Sequence, residues 1–499
     1  MRKILALFVI AFTSVITSVC GQFTNVIVDN NFGPQEPSIT INAVNVSQMV
    51  AGSNTNNSYY SVDGGATWIT TFINSSLGST GDPCLVSDSL GNIFYFHLSD
   101  MYDRIVCQKS INGGLNYNDG FFTWNNNSQL QDKEWATVDR HSNNIYVTWT
   151  QYDGGFNPGP QDSSRIYFAK SEDNGTTFSD GVRINKIAGD CLYLDITDAH
   201  PVAGPNGEIY VTFMDSMGIR FNKSIDSGST WLSSQPLIDS GGAFRYYSIP
   251  GVSRIRSMPY SACDNSNSPY RGNVYVSWVD QRNGVNNTDV FFSMSADGGN
   301  TWSSAMKVNG DNTISHQFRN AMTVDQVTGN IYIVYYDRRN YSNDSTDVYL
   351  SKSVDGGTSW TDYKISSTGF ENPGSDFDGD YIDIAAHDGV VRPIWTRVDN
   401  FITSIWTCLF NELSAGIADT KSNTGMFTIN PNPADIVAAI SFSNEIARGE
   451  GVISDVTGRV VKKFTVDHQR EKVIDLAGIP SGIYYVIVNG RTGKLIVGK

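Results

Sequence analysis

Basic residues are scarce in this sequence, closely spaced cysteines are absent, and runs of the residues that propagate helices hardly occur. Of 499 residues only 35 are Lys or Arg, against 50 Asp or Glu, so the net charge is −15. Such an acidic surface repels phosphate backbones, and no basic arm or helix offsets it, which speaks against nucleic acid as a partner. The cysteines beyond residue 21 are Cys84, Cys107, Cys191, Cys263 and Cys408, an odd number with no CxxC spacing, which argues against a zinc site. The six histidines are not closely spaced, so a His-ligated metal is not suggested either. No apolar run after the N-terminus approaches the length of a membrane-spanning helix, so none is expected in the mature chain.

What is present is β-rich. Hydrophobic residues make up 40% of the chain and aromatics 12%, enough for a sizeable core, while charged residues are only 17%. Short runs rich in Val, Ile, Tyr, Thr and Trp alternate with Gly, Asn and Asp turns, the composition of an all-β protein. Arg2 and Lys3, an apolar run from Ile4 to about Ile16 and a small-residue exit read as a signal peptide over 1–21, which places the protein outside the cytoplasm.

Self-similarity sets the architecture. Ser61-Val-Asp63-Gly-Gly65-Ala-Thr67-Trp68 recurs from Ser171, Ser224, Ser295 and Ser353, with a degenerate copy from Ser110 that has Asn112 in place of the Asp. Asp and Gly suit a tight turn, because the carboxylate accepts backbone N–H bonds and Gly takes positive φ, so the motif is structural. Before each box runs an alternating strand such as Asn144–Trp149, Glu208–Phe213, Asn273–Trp278 or Asn330–Tyr335, and further upstream lies another short strand. Each unit reads as a four-stranded antiparallel blade, and blades repeated around an axis give a β-propeller. Seven inner strands, beginning near Pro37, Pro83, Glu134, His200, Arg256, Asn320 and Tyr381, predict seven blades, with six as the alternative. The last unit lacks an outer strand, which Thr24–Asp29 is expected to supply, closing the ring.

These boxes resemble the Asp-box repeats of bacterial neuraminidases and related sialidase-like propellers, over roughly residues 30 to 410. The tail is similar to the C-terminal sorting domain of the type IX secretion system of Bacteroidetes. It carries Phe427-Thr-Ile-Asn-Pro431-Asn-Pro433, then Ser454-Asp455-Val-Thr-Gly458-Arg459, Leu476-Ala-Gly-Ile-Pro480-Ser-Gly482-Ile-Tyr484 and Lys494–Lys499. The expected organisation is a propeller over 22–412, a linker over 413–424 and a small β-sandwich sorting domain over 425–499. The resemblance implies a secreted or outer-membrane surface protein handled by the type IX machinery.

In a propeller the loops leading into the inner strands share one face with the loops between second and third strands, and the boxes lie on the other. The residues at the inner-strand starts include Asp82, Glu134, Arg256, Arg319, Asp380 and Tyr381; Arg282, Arg338 and Arg397 follow second strands. This mixture of carboxylates and arginines suits a glycan or glycoprotein ligand, because a guanidinium fork matches a sugar carboxylate. The resemblance implies a sialidase in which three arginines clamp the sugar, a Tyr attacks and an Asp supplies the proton. Its catalytic set does not carry over residue by residue: Gln22 to Tyr60, where the first clamp arginine belongs, contains neither Arg nor Lys. Candidate catalytic groups are therefore Asp82, Glu134, Asp380 and Tyr381, and candidate substrate-binding groups are Arg256, Arg282, Arg319, Arg338 and Arg397. A glycan-binding module, a glycosidase using two carboxylates and a protein-binding surface module stand beside the sialidase. No cofactor is required; Asp376, Asp378 and Asp380 alternate as in a calcium loop, so a structural calcium ion is a further expectation.

Overall fold

The computed structural model describes residues 23–124, 129–154, 159, 161–191, 196–240, 247–252, 255–371, 379–412, 427–432, 434–455, 459–488 and 491–498. The chain divides into two compact units, one up to residue 417 and one from 418.

Among the described residues, seven antiparallel sheets make up the first unit. Their innermost strands are Ser38–Ile41, Cys84–Ser87, Leu130–Asp139, Thr197–Ala203, Tyr260–Cys263, Gln317–Val324 and Asp383–His387. Each packs against the innermost strands of the sheets before and after it, and the seventh packs against the first, so the sheets close into a propeller. In the seventh sheet the fourth strand is the N-terminal Thr24–Asp29, paired antiparallel with Ile402–Asn411 in the register Thr24↔Leu409 to Asp29↔Ile405. This pairing removes an exposed edge and ties the two ends of the ring together.

The strands alternate because each blade is buried on both faces by its neighbours. Trp149, Trp278, Trp395, Tyr95, Tyr332 and Tyr335 are among the largest fully buried side chains, and all lie on second strands. Innermost strands have one free backbone edge toward the axis, and side chains from the neighbouring blade cap part of it. Asp383 accepts from the Ser38 hydroxyl and the Ile39 N–H, Ser38 Oγ accepts from the Leu85 N–H, and Cys84 Sγ from the Ala136 N–H.

The Asp boxes are turns of one design. In the fifth sheet Ser295 Oγ accepts from the Gly299 N–H at 2.8 Å and donates to Asp297 Oδ1 at 2.8 Å, while Asp297 accepts from the Thr301 N–H and hydroxyl at 2.9 and 2.6 Å. Gly299 has φ near +81°, and a Cβ there would meet the Phe221 ring at 2.2 Å. The box aromatics reach past their own turn. Trp231, Trp302 and Trp360 pack edge-on against Phe168, Phe221 and Phe292 of the preceding sheet, with ring centroids 5.0 to 5.2 Å apart. The box therefore fastens one blade to the next. All five cysteines described are buried free thiols.

Among the described residues, the second unit holds five strands hydrogen-bonded as one set. Phe427–Asn430, Val437–Asp455, Gly482–Val488 and Arg491–Val497 run in that order, and Val460–Asp475 pairs along the long Val437–Asp455 strand. A register shift between Ser441 and Ile446 breaks that strand into two halves. Residues from both halves, among them Ala438, Ile440 and Ile453, share one core with Leu476, Val486 and Leu495.

Candidate functional site

The starts of the inner strands are built from non-glycine residues in the left-handed region. Glu36, Asp82, Lys133, Asp198 and Arg319 have φ between about +49° and +58°, and each lies two residues before an inner-strand position at Ser38, Cys84, Trp135, His200 or Ala321. Such a backbone costs on the order of 1–2 kcal/mol per residue, so it persists only where the surroundings impose it. Around Glu36, Asp82, Lys133 and Asp198 the surroundings are a network of ion pairs and hydrogen bonds. All five side chains are buried, together with Glu134, Arg256 and Asp380.

Lys133 is the hub. Its Nζ lies 2.8 Å from Asp82 Oδ2, 3.2 Å from Asp380 Oδ2 and 3.8 Å from Asp132 Oδ1. Arg256 meets the same Asp380 oxygen at 3.0 Å and reaches Asp198 at 3.9 Å. Asn54 links the first two blades, donating to Glu36 and accepting from the Asp82 N–H, and Glu36 accepts from the Asp380 N–H at 2.8 Å. Burial, together with the Asp82 charge, raises Glu36 to about 8, and burial also raises Asp132 to about 7. Burial acts most strongly on Asp82 and would raise it, but the Lys133 charge together with hydrogen bonds to Asp132, Lys133 and Glu36 brings that carboxyl below its ordinary value. Glu134 is raised well above the ordinary range by burial and by Asp82, and neither of its carboxyl oxygens has a hydrogen-bond partner among the described residues.

Four of the residues singled out in the sequence converge. Arg256, Arg319, Asp380 and Tyr381, from three successive blades, line one small pocket with Met258, Tyr260 and Asn320, too tight to admit a water-sized sphere. Asp82 joins them through Lys133. The Tyr381 hydroxyl donates to the Pro83 carbonyl at 3.3 Å, and burial with the surrounding carboxylates holds its pKa well above the ordinary phenol value.

The other arginines do not converge with these. Arg282 is held by Asp280 and, at 2.7 Å, by Asp239 on the outermost strand of the preceding blade, with its guanidinium 4.3 Å from the Phe291 ring centre. Arg397 is held by Asp399 and by Thr368, with Phe370 and Trp406 beside it. Both are therefore clamps at the rim, because an Asp two residues away captures a guanidinium more readily than a distant pocket does. Arg338 donates to Thr346 Oγ1 and to the Pro250 carbonyl, and does not line the pocket. Of the expected calcium ligands, Asp376 and Asp378 lie outside the described residues. Asp380 already neutralises Lys133 and Arg256, and the described residues contain no cluster of three or more His, Cys, Asp or Glu able to hold a metal ion.

Sequence reasoning missed two features. Lys133 stands between two acidic residues and reads as a solvated charge; only its place two residues before an inner-strand position, shared with Asp82 and Asp198, marks it. The second is a cavity of about 510 Å³ along the axis, walled by the inner strands and the turns that follow them. An aromatic partition separates it from the small pocket: Trp135 and His200 line the cavity, Tyr260 and Tyr381 the pocket. Trp135 lies 5.2 to 5.3 Å from the other three rings.

Residues 428–498 match the family described as the secretion system C-terminal sorting domain. The tail is thus a type IX sorting domain, and it marks the protein for secretion and the cell surface. No curated protein matches the chain. Among solved structures, a Dyadobacter fermentans protein of unknown function is similar at 12% identity, with 63% of this chain and 93% of that one covered and a TM-score of 0.42. A Hadza microbial sialidase is similar at 13% identity, with 75% of each chain covered and a TM-score of 0.42. A Penicillium chrysogenum alpha-L-arabinanase follows at 10% identity, covering 66% of this chain and 93% of its own, with a TM-score of 0.40. These likenesses are distant, and the propeller is read from its own sheets.

Proposed function

We propose that this surface-directed propeller binds glycans at the centre of the face where its inner strands begin, with an acidic sugar held by Arg256 and Arg319. The observation that carries the reading is the convergence of Arg256, Arg319, Asp380 and Tyr381 from three blades on one pocket. A sugar carboxylate has the charge and the two-oxygen geometry to compete with Asp380 for Arg256. Opening the pocket then exchanges one buried carboxylate partner for another and leaves no cation unpaired.

Binding is favoured over the sialidase reaction by the state of Tyr381. Its hydroxyl is spent on a backbone carbonyl, and the carboxylates around it oppose the phenolate that attack requires. One observation favours a second reading, a glycosidase using two carboxylates. Burial raises the Glu134 carboxyl while Asp82 is lowered, shifts in the opposite directions that an acid and a base need.

Glycan-array screening of the mature protein, run beside a fluorogenic sialoside and a panel of neutral glycosides, tests these readings together. The expected result is array hits on acidic glycans without release of either fluorophore. Turnover of a neutral glycoside that is lost in Glu134→Gln would establish the two-carboxylate enzyme, and sialic acid release would establish the sialidase. Neither hits nor turnover would overturn the glycan reading in favour of a protein-docking module.

A further inference from the structure

Arg140 and Arg271 line the axial cavity, and among the described residues neither guanidinium is matched by a carboxylate. Arg140 donates to His387 Nδ1 at 3.4 Å and to Ser87 Oγ at 3.3 Å. Arg271 donates to the Asn265 and Ser266 carbonyls. The carboxylates nearest Arg140 are committed elsewhere. Asp88 accepts from the Leu90 and Asn92 N–H groups, and Asp325 from those of Val327, Asp388 and Gly389. The carboxylates of the wall itself are committed too, Asp383 to Ser38 and Ile39 and Asp139 to His141 and Ser142. Burial lowers the pKa of Arg140, although Asp325 and Asp88 act in the opposite direction from a distance, the mark of a cation short of water.

The rest of the wall is rich in hydroxyls and in strand edges that face the axis. Ser38, Ser87 and Ser261 spend their hydroxyls within the wall, while Thr40, Thr137 and Thr323 lie along it, and each innermost strand is paired on one side only. A volume of about 510 Å³ lies within the usual size of small-molecule sites.

We propose that the axial cavity is a second ligand site, which takes a small hydroxyl-rich carboxylate of one or two sugar units with its carboxylate on Arg140. Free edge groups and the threonine hydroxyls of the wall satisfy the ligand's hydroxyls, and the guanidinium gains an anion at contact distance. This site is separate from the pocket proposed above, because the rings of Trp135, His200, Tyr260 and Tyr381 stand between them.

Titration calorimetry of the mature protein with D-galacturonate, and with D-galactose as the neutral match, tests it. Wild type is expected to prefer galacturonate by about tenfold, the worth of one charge-assisted hydrogen bond. In the Arg319→Gly background, which removes a guanidinium of the other pocket, Arg140→Gln should erase the preference, and Arg140→Lys, which keeps the charge, should reduce it to about threefold. Arg319→Gly should leave it intact. Absence of a preference in wild type, an unchanged preference in Arg140→Lys, or its loss in Arg319→Gly would each overturn the proposal; the last would assign the galacturonate to the other pocket.

Discussion

At the Asp-box end of the ring, six turns solve one problem in one way: a buried Ser hydroxyl bonds an Asp or Asn side chain and the N–H of a glycine two residues further on. At the other end, the inner-strand starts carry unlike side chains in like positions. Glu36, Asp82, Lys133, Asp198 and Arg319 share a left-handed backbone but not a charge. The first arrangement keeps its Asp near the surface and its energetics local. The second buries charges from several blades against one another, so that each holds the next. Repetition at one end specifies the ring, and variation at the other specifies what the ring meets.

Breaking the hub should have the largest effect. Lys133→Met strands Asp82, while Asp380 keeps Arg256, and removing one partner of a buried pair costs about 3–5 kcal/mol. Denaturant unfolding should show that loss; a change below about 1 kcal/mol would mean that the network holds less than its geometry implies.

The network also predicts a pH dependence that the Asp-box end lacks. Glu36 is raised from 4.5 to about 8 and Asp132 from 3.8 to about 7, in both cases chiefly by burial. Between the ordinary and the raised values the folded protein binds more protons than the unfolded chain, so stability falls as pH rises through this window. The thermal midpoint should therefore drop from pH 5 to pH 8, and Glu36→Gln should flatten the drop. A midpoint that rises over the same range would contradict the assigned states.

A smaller, local effect is expected at the boxes. Ser295→Ala removes one buried hydroxyl from one turn and should cost about 1–2 kcal/mol, with ligand binding unchanged in the folded fraction. Loss of binding at unchanged stability would show that the ligand sits on the Asp-box face.

Much of this fold was legible because a repeat repeats its physics. Ser, Asp and Gly at fixed offsets fix the turn, and the Ile-Tyr-Val alternation fixes the second strand, so the sheets could be located from residue types alone. The shared docking of Trp231, Trp302 and Trp360 on the preceding blade was not, because contact across blades has no fixed spacing in sequence. The site was legible in part for the same reason. Arg256, Arg319, Asp380 and Tyr381 sit at strand starts, which the ring must bring to its axis. Arg282 on a hairpin loop and Arg397 near the end of the second strand Val390–Asp399 carry the same chemistry, but there a neighbouring carboxylate and an aromatic face decide their orientation. The axial cavity has no signal in sequence, since its walls are strand edges.

The most direct test of the central claim is the affinity of Arg319→Gly for the best acidic glycan found on the array. Glycine suits the left-handed backbone at that position, where φ is near +49°, so the change removes the guanidinium while favouring the native turn. The account predicts a variant that still folds and binds with affinity about 10- to 100-fold weaker, the loss of one charge-assisted contact. Unchanged affinity in the folded variant would contradict it.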